Sequence, residues 1–214
     1  MEQKILDEVR DIKKSLRLAM NGVVSTLQRR QGLDYKINFG VEIPRLKEIA
    51  AAHEKEIELA GALWQDNIRE CKMLAIFLMP ECGYDDVADK WIAETKFTEI
   101  ADQLAMHLLC KLPDAWDKAL QWAQKEEGMY PYCGFLTISH LVRRGIGPNK
   151  AQEAAFFGCV DAQLRKEEQG IAARCALNAA TRYLDCSPDA VARLNGFIAG
   201  NKETGLTALL EIFE

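Results

Sequence analysis

The chain has few of the features that mark several large protein classes. Six prolines and fourteen glycines among 214 residues exclude a collagen-like or low-complexity chain, and no long disordered stretch is expected. The longest apolar run, Met73 to Met79, is bounded by Lys72 and Pro80, far short of the ~20 residues that span a bilayer. The opening residues Met1-Glu2-Gln3-Lys4-Ile5-Leu6-Asp7-Glu8 mix charges and lack the apolar centre of a signal peptide. A cytoplasmic location is therefore expected. The cysteines, Cys71, Cys82, Cys110, Cys133, Cys159, Cys175 and Cys186, are odd in number and form no C-x-x-C. Buried, reduced thiols are the expected reading rather than a disulfide framework. His53, His107 and His140 show no i, i+4 pair, so no metal site is predicted. Neither a phosphate-binding G-x-x-x-x-G-K-[ST] nor a G-x-S-x-G elbow occurs. Nucleotide hydrolysis and serine hydrolase chemistry therefore have no support, and no cofactor is predicted.

What the chain does have is a core and an uneven charge. Hydrophobic residues make up 49% and charged residues 28%, as in a folded globular protein. The length suits one large domain or two small ones, and a single domain over residues 1–214 is expected. Net charge is −5. Residues 1–50 carry 10 Lys/Arg against 7 Asp/Glu, residues 51–130 carry 8 against 16, and residues 131–214 carry 9 of each. The acidic excess is thus central, and basic pairs toward the ends (Lys13-Lys14, Arg29-Arg30, Arg143-Arg144) are free to line one face. The alternative is that both signs solvate outer helix faces.

Helical period runs through the whole sequence. Ile5, Val9, Ile12 and Leu16 form one stripe of an opening helix. Asn21-Gly22 interrupts it, and Val23, Val24 and Leu27 begin a second helix that ends near Gln31-Gly32. Leu33 to Phe39 reads as a connection, and Pro44 suits the first turn of the next helix, where a missing N–H costs nothing. Further helices are expected at about 55–65, 67–79, 84–94, 97–111, 113–126, 130–144, 148–160, 169–184, 188–199 and 203–213, by the same period. Ser187-Pro188-Asp189 reads as a start, with serine as N-cap and proline at N1. No alternating β-branched run occurs, so no sheet is expected. Three segments, Arg69–Leu74, Pro131–Leu136 and Ala173–Asn178, superpose with a cysteine in register, a weak sign of helical repeats. Trp64, Trp91, Trp116 and Trp122 are expected in the core.

Two segments carry a family resemblance. Phe39-Gly40-Val41-Glu42-Ile43-Pro44-Arg45-Leu46-Lys47-Glu48-Ile49-Ala50 is followed by Ala62-Leu63-Trp64 and Arg69-Glu70-Cys71-Lys72-Met73-Leu74-Ala75. The pair resembles the opening repeats of the AlkD-like DNA alkylation repair family. That resemblance implies an all-α, HEAT-like helical-repeat solenoid that binds duplex DNA on a concave face and excises positively charged alkylated bases. It also implies a carboxylate that stabilises the developing sugar cation, aromatic rings that shield the lesion, and an arginine that grips the phosphate backbone. In the stretch Phe97-Thr98-Glu99-Ile100-Ala101-Asp102, similar to the family's W-W-x-x-x-D, the carboxylate is Asp102. Phe97 stands at the first aromatic and Thr98 at the second. The arginine's place falls near Gly134.

A second candidate element is Leu141-Val142-Arg143-Arg144-Gly145-Ile146-Gly147-Pro148-Asn149-Lys150. It looks like the G-x-G hairpin of helix-hairpin-helix DNA-binding elements. There glycine lets backbone N–H groups approach a phosphate at a helix start, and Arg143, Arg144 and Lys150 would add charge. Gly145 and Gly147 equally suit an ordinary helix stop and a Gly-Pro helix start. Two functions thus stand against each other. One is a DNA-binding alkylation repair protein with Asp102 as catalytic carboxylate. The other is a catalytically inactive HEAT-like scaffold with a protein partner, favoured by the net charge and by Thr98 and Gly134.

Overall fold

In a computed structural model, the structure describes residues 2–166, 168, 170–187, 189–200 and 204–207. Twelve α-helices and no strand occur among them: α1 (Glu2–Leu18), α2 (Gly22–Arg30), α3 (Ile43–Ala51), α4 (Ile57–Gln65), α5 (Arg69–Leu78), α6 (Tyr84–Glu94), α7 (Thr98–His107), α8 (Ala115–Gln124), α9 (Tyr130–Arg143), α10 (Lys150–Leu164), α11 (Ile171–Cys186) and α12 (Ala190–Gly200). The all-α expectation holds, and the helix limits follow the hydrophobic period closely. The segment expected at 97–111 divides, because α7 ends at His107 and a short 3₁₀ turn follows at Leu109–Lys111. The expected helix at 203–213 and the N1 role of Pro188 lie outside the described residues. The chain groups into two compact units, Met1–Ala88 and Asp89–Glu214.

In the first unit the stripe Ile5, Val9, Ile12 and Leu16 is buried, and α1 packs on α4. Asn21 caps α2, its side chain accepting from the N–H groups of Val23 and Val24, which satisfies donors that a helix start leaves orphaned. Pro44 sits in the first turn of α3. Helix α5 is apolar nearly all round, with Cys71, Met73, Leu74, Ala75, Ile76 and Leu78 buried, and it packs against both α3 and α4. A helix with that pattern belongs inside a core.

The signature segment has a structural job. The fully buried Glu70 carboxylate, on α5, accepts from the backbone N–H groups of Phe39 (3.1 Å), Gly40 (2.9 Å) and Val41 (3.2 Å). Arg69 beside it donates to Glu70 at 3.2 Å and to the Val41 carbonyl at 3.1 Å. Gly40 has φ 71°, and a Cβ there would be driven into the Asn21 carbonyl oxygen and the Ser25 N–H. Only glycine takes that backbone without strain. The residues that carry the family resemblance therefore tie the connection before α3 onto α2 and α5.

In the second unit, α9 packs against α7, α8 and α11, while α10 packs against α8, α11 and α12. The helices thus form two rows, α7–α9–α11 and α8–α10–α12. Trp91, Trp116 and Trp122 are buried here. The Trp116 indole donates to the Ile146 carbonyl and the Trp122 indole to Asp89, as buried tryptophans require. Trp64 is fully buried in the first unit. At the α8–α9 crossing, a Cβ on Gly134 would lie 2.6 Å from the Ala119 carbonyl oxygen and 2.6 Å from the Ala123 nitrogen. Gly134→Ala is expected to cost about 1–3 kcal/mol through overpacking, read as a lower urea midpoint. An unchanged midpoint would show that α8 and α9 separate freely.

The cysteine expectation needs one correction. Cys71, Cys110, Cys133, Cys159 and Cys175 are buried free thiols, but Cys82 and Cys186 are exposed. Cys82 follows Pro80 in a short turn and Cys186 closes α11, and element ends have no core to face. The three cysteines that superpose in sequence, Cys71, Cys133 and Cys175, are all buried in the N-terminal halves of α5, α9 and α11.

Candidate nucleic-acid interface

A cleft of about 400 Å³ runs along the row α7–α9–α11. Its walls are one face of α9 and one face of α11. Tyr132, Leu136, Ser139, His140 and Arg143 recur at spacings of three and four on α9, and Ile171, Arg174, Cys175, Asn178 and Arg182 do so on α11. Thr98, the first residue of α7, lines it as well.

Three guanidiniums, Arg143, Arg174 and Arg182, line this cleft, and none has a carboxylate partner among the described residues. The field of two of them, Arg143 and Arg182, reaches His140. Burial first, then Arg143, Arg182 and Arg144, hold its imidazole below the usual histidine range. A cleft lined by charge of one sign attracts anions.

Asp102 lies on α7, half-buried, and its Oδ1 accepts from the Tyr132 hydroxyl at 2.8 Å. Burial pushes its carboxyl up from the ordinary range, the Tyr132 hydrogen bond opposes that shift, and Glu99 adds to it. Burial and the same carboxylate push the Tyr132 phenol up. The second Asp102 oxygen has no hydrogen-bond partner among the described residues. A partly desolvated carboxylate with one free oxygen can stabilise developing positive charge more strongly than one in water.

The residues singled out from sequence separate in space. Thr98 and Arg143 line the cleft, whereas Asp102, one turn after Thr98 on α7, is not among its lining residues and meets it through the Tyr132 hydroxyl. Phe97 is half-buried at the N-cap of α7, where its backbone is extended. Arg144 turns away from the cleft, donating to the Cys110 carbonyl at 2.8 Å. Neighbours in a helix point about 100° apart, so the two arginines serve different faces. Gly145 has φ 73°. Its N–H bonds to the Val142 carbonyl, and that of Ile146 to the Leu141 carbonyl, which is a Schellman stop. Gly147 precedes Pro148, and Asn149 caps α10 in a reciprocal capping box with Gln152. Lys150 is exposed in the first turn of α10. Gly134, near the expected arginine's place, faces α8 rather than the cleft.

Sequence reasoning missed Arg174 and Arg182. Their signal was present: Arg174, Asn178 and Arg182 recur every four residues on a helix otherwise rich in small residues.

Among the described residues there is no group of three or more metal-ligating side chains, and no helix is long and apolar enough to cross a membrane. Compared with known proteins, the chain matches the family model described as DNA alkylation repair enzyme over residues 28–184. No curated protein and no solved structure matches it.

Proposed function

Since the chain belongs to the DNA alkylation repair enzyme family, we propose that it binds duplex DNA through the α7–α9–α11 cleft and excises positively charged alkylated bases with Asp102. The observation that supports this most directly is three guanidiniums in one cleft without a carboxylate partner among the described residues, with the partly desolvated Asp102 joined to the cleft through the Tyr132 hydroxyl. The solenoid form with a concave binding face belongs to the same proposal. Arg143, Arg174 and Arg182 contact phosphates, and Lys150 with the Gly145–Gly147 turn provides a further backbone contact. Phe97 shields the lesion from the N-terminal end of α7.

The chemistry follows from charge. An alkylated base that is already cationic leaves as a neutral molecule, and the positive charge passes to the sugar. A carboxylate fixed near that sugar lowers the barrier. Base excision is slow, because Thr98 supplies no ring and Gly134 supplies no arginine. Loss of a positioning group costs on the order of a hundredfold.

Fluorescence anisotropy with duplex DNA at several salt concentrations tests the binding half. Affinity is expected to fall steeply with salt and to be independent of sequence. Replacing Arg143, Arg174 and Arg182 by glutamine should reduce the slope of log K against log salt by about three. No binding by micromolar protein at low salt would end the proposal, and an unchanged slope would remove the cleft from it. Lys150→Gln, outside the cleft, isolates the turn in the same way. Binding without any release of base from methylated DNA would leave the inactive-scaffold reading in its place.

A further inference from the structure

We propose that Tyr132 is the aromatic that holds a cationic nucleobase at Asp102, supplying from α9 the ring that Thr98 does not provide on α7, and that its hydroxyl fixes the carboxylate. The inference rests on the reading that this cleft takes alkylated DNA.

The placement comes first. Thr98 and Tyr132 both line the cleft, and Thr98 stands one turn before Asp102 on α7, the residue that Tyr132 reaches. Tyr132 comes from the neighbouring helix and its hydroxyl reaches Asp102 Oδ1 at 2.8 Å, so the ring is held on the carboxylate's side of the cleft. Tyr132 is the one aromatic among the described residues that line the cleft. Its position is held from two sides: the hydroxyl on Asp102, and its backbone carbonyl accepting from the Cys175 thiol of α11 at 3.7 Å.

The chemistry follows. A phenol that donates to a carboxylate shifts electron density into its ring, because hydrogen bonds in series polarise one another. A more electron-rich face attracts a cation more strongly, and cation–π attraction in a partly desolvated site is worth a few-fold to roughly thirtyfold in binding. A neutral base gains none of that, so the same contact selects for charge. The hydroxyl has a second role as a positioning group. It fixes Oδ1 and leaves the other Asp102 oxygen free for the sugar. Arg143 stands eleven residues further along α9, about 16 Å at the helical rise. Arg182 lies near that end as well, since both act on His140. The cleft therefore offers Arg143 and Arg182 for phosphate at one end and the ring and carboxylate at the other, where Arg174, next to Cys175 on α11, is placed as well.

Two measurements on the full chain test this. The first is binding of 7-methylguanosine in its cationic form against guanosine, followed by nuclear magnetic resonance. Wild type is expected to prefer the cation, Tyr132→Phe to keep most of that preference, and Tyr132→Leu to lose it by about tenfold. The second is the titration of the Asp102 carboxyl carbon. Its hydrogen bond from Tyr132 favours the charged form, so Tyr132→Phe should move the midpoint to higher pH. A purely structural tyrosine would leave the cation preference unchanged, since the midpoint reports only the hydroxyl's hold on the carboxylate. A preference unchanged in Tyr132→Leu, or a midpoint unchanged in Tyr132→Phe, overturns the proposal; should Tyr132→Leu not fold, a wild type without preference for the cation overturns it as well. Base release from methylated duplex judges the excision reading separately. Release by wild type and equal release by Tyr132→Leu keeps excision and removes Tyr132. No release by wild type, with the cation preference and its loss in Tyr132→Leu intact, ends excision and keeps the base site.

Discussion

Glu70→Ala is expected to destabilise the Met1–Ala88 unit by about 3–5 kcal/mol, the cost of breaking a buried ion pair from one side. The carboxylate is fully buried and accepts from Phe39, Gly40, Val41 and Arg69. Its removal takes a charged partner from the almost wholly buried Arg69. The Phe39 and Val41 N–H groups lose their acceptor, while that of Gly40 keeps the Asn38 side chain at 2.8 Å. The loss should appear as a thermal midpoint lower by on the order of 10 °C for a chain of this size. Glu70→Gln keeps the shape and one acceptor oxygen and should cost less, about 1–3 kcal/mol. If Glu70→Ala melts like wild type, the signature segment is not held as described. Since Glu70 lies outside the proposed cleft, the Glu70→Gln protein, where folded, should bind DNA as wild type does.

Asp102→Asn is expected to slow the release of alkylated base by about a hundredfold or more, since an electrostatic contribution of several kcal/mol converts to at least that factor. The variant keeps an oxygen for the Tyr132 hydroxyl and removes only the charge. Wild-type release should rise with pH as Asp102 ionises through its raised midpoint and then level off. Stability runs the other way. Burial favours the protonated form in the folded state, so this group's contribution is fully present below the ordinary carboxylate range. It is lost as pH rises through the raised midpoint. At neutral pH Asp102→Asn should therefore melt no lower than wild type while losing activity. Equal release by the two proteins would remove Asp102 as the carboxylate. A lower melting point would show that the charge serves the fold.

The helices were legible because each has a local cause. The stripe from Ile5 to Leu16, the Asn21 cap and the Pro44 start depend on neighbours a few residues away, and those are visible in one dimension. The resemblance around Gly40 and Glu70 was legible as well, but its physical meaning was not. Nothing in the order of residues says that Glu70 accepts from three N–H groups some thirty positions earlier.

Composition, helical period and the motif by themselves determined that this chain is all-α, that it has a core, and that Asp102 is the carboxylate to test. Only the tertiary structure decided which charges act together. Arg143 and Arg144 are adjacent in the chain, yet one lines the cleft and the other caps the Cys110 carbonyl. Arg174 and Arg182 join Arg143 across a helix boundary, and Tyr132 reaches Asp102 from thirty residues away. Helix formation is set by contacts three or four residues apart, whereas a binding site is set by which helix faces pack against one another. That pairing depends on close approaches such as Gly134 against Ala119 and Ala123, which no window of sequence contains.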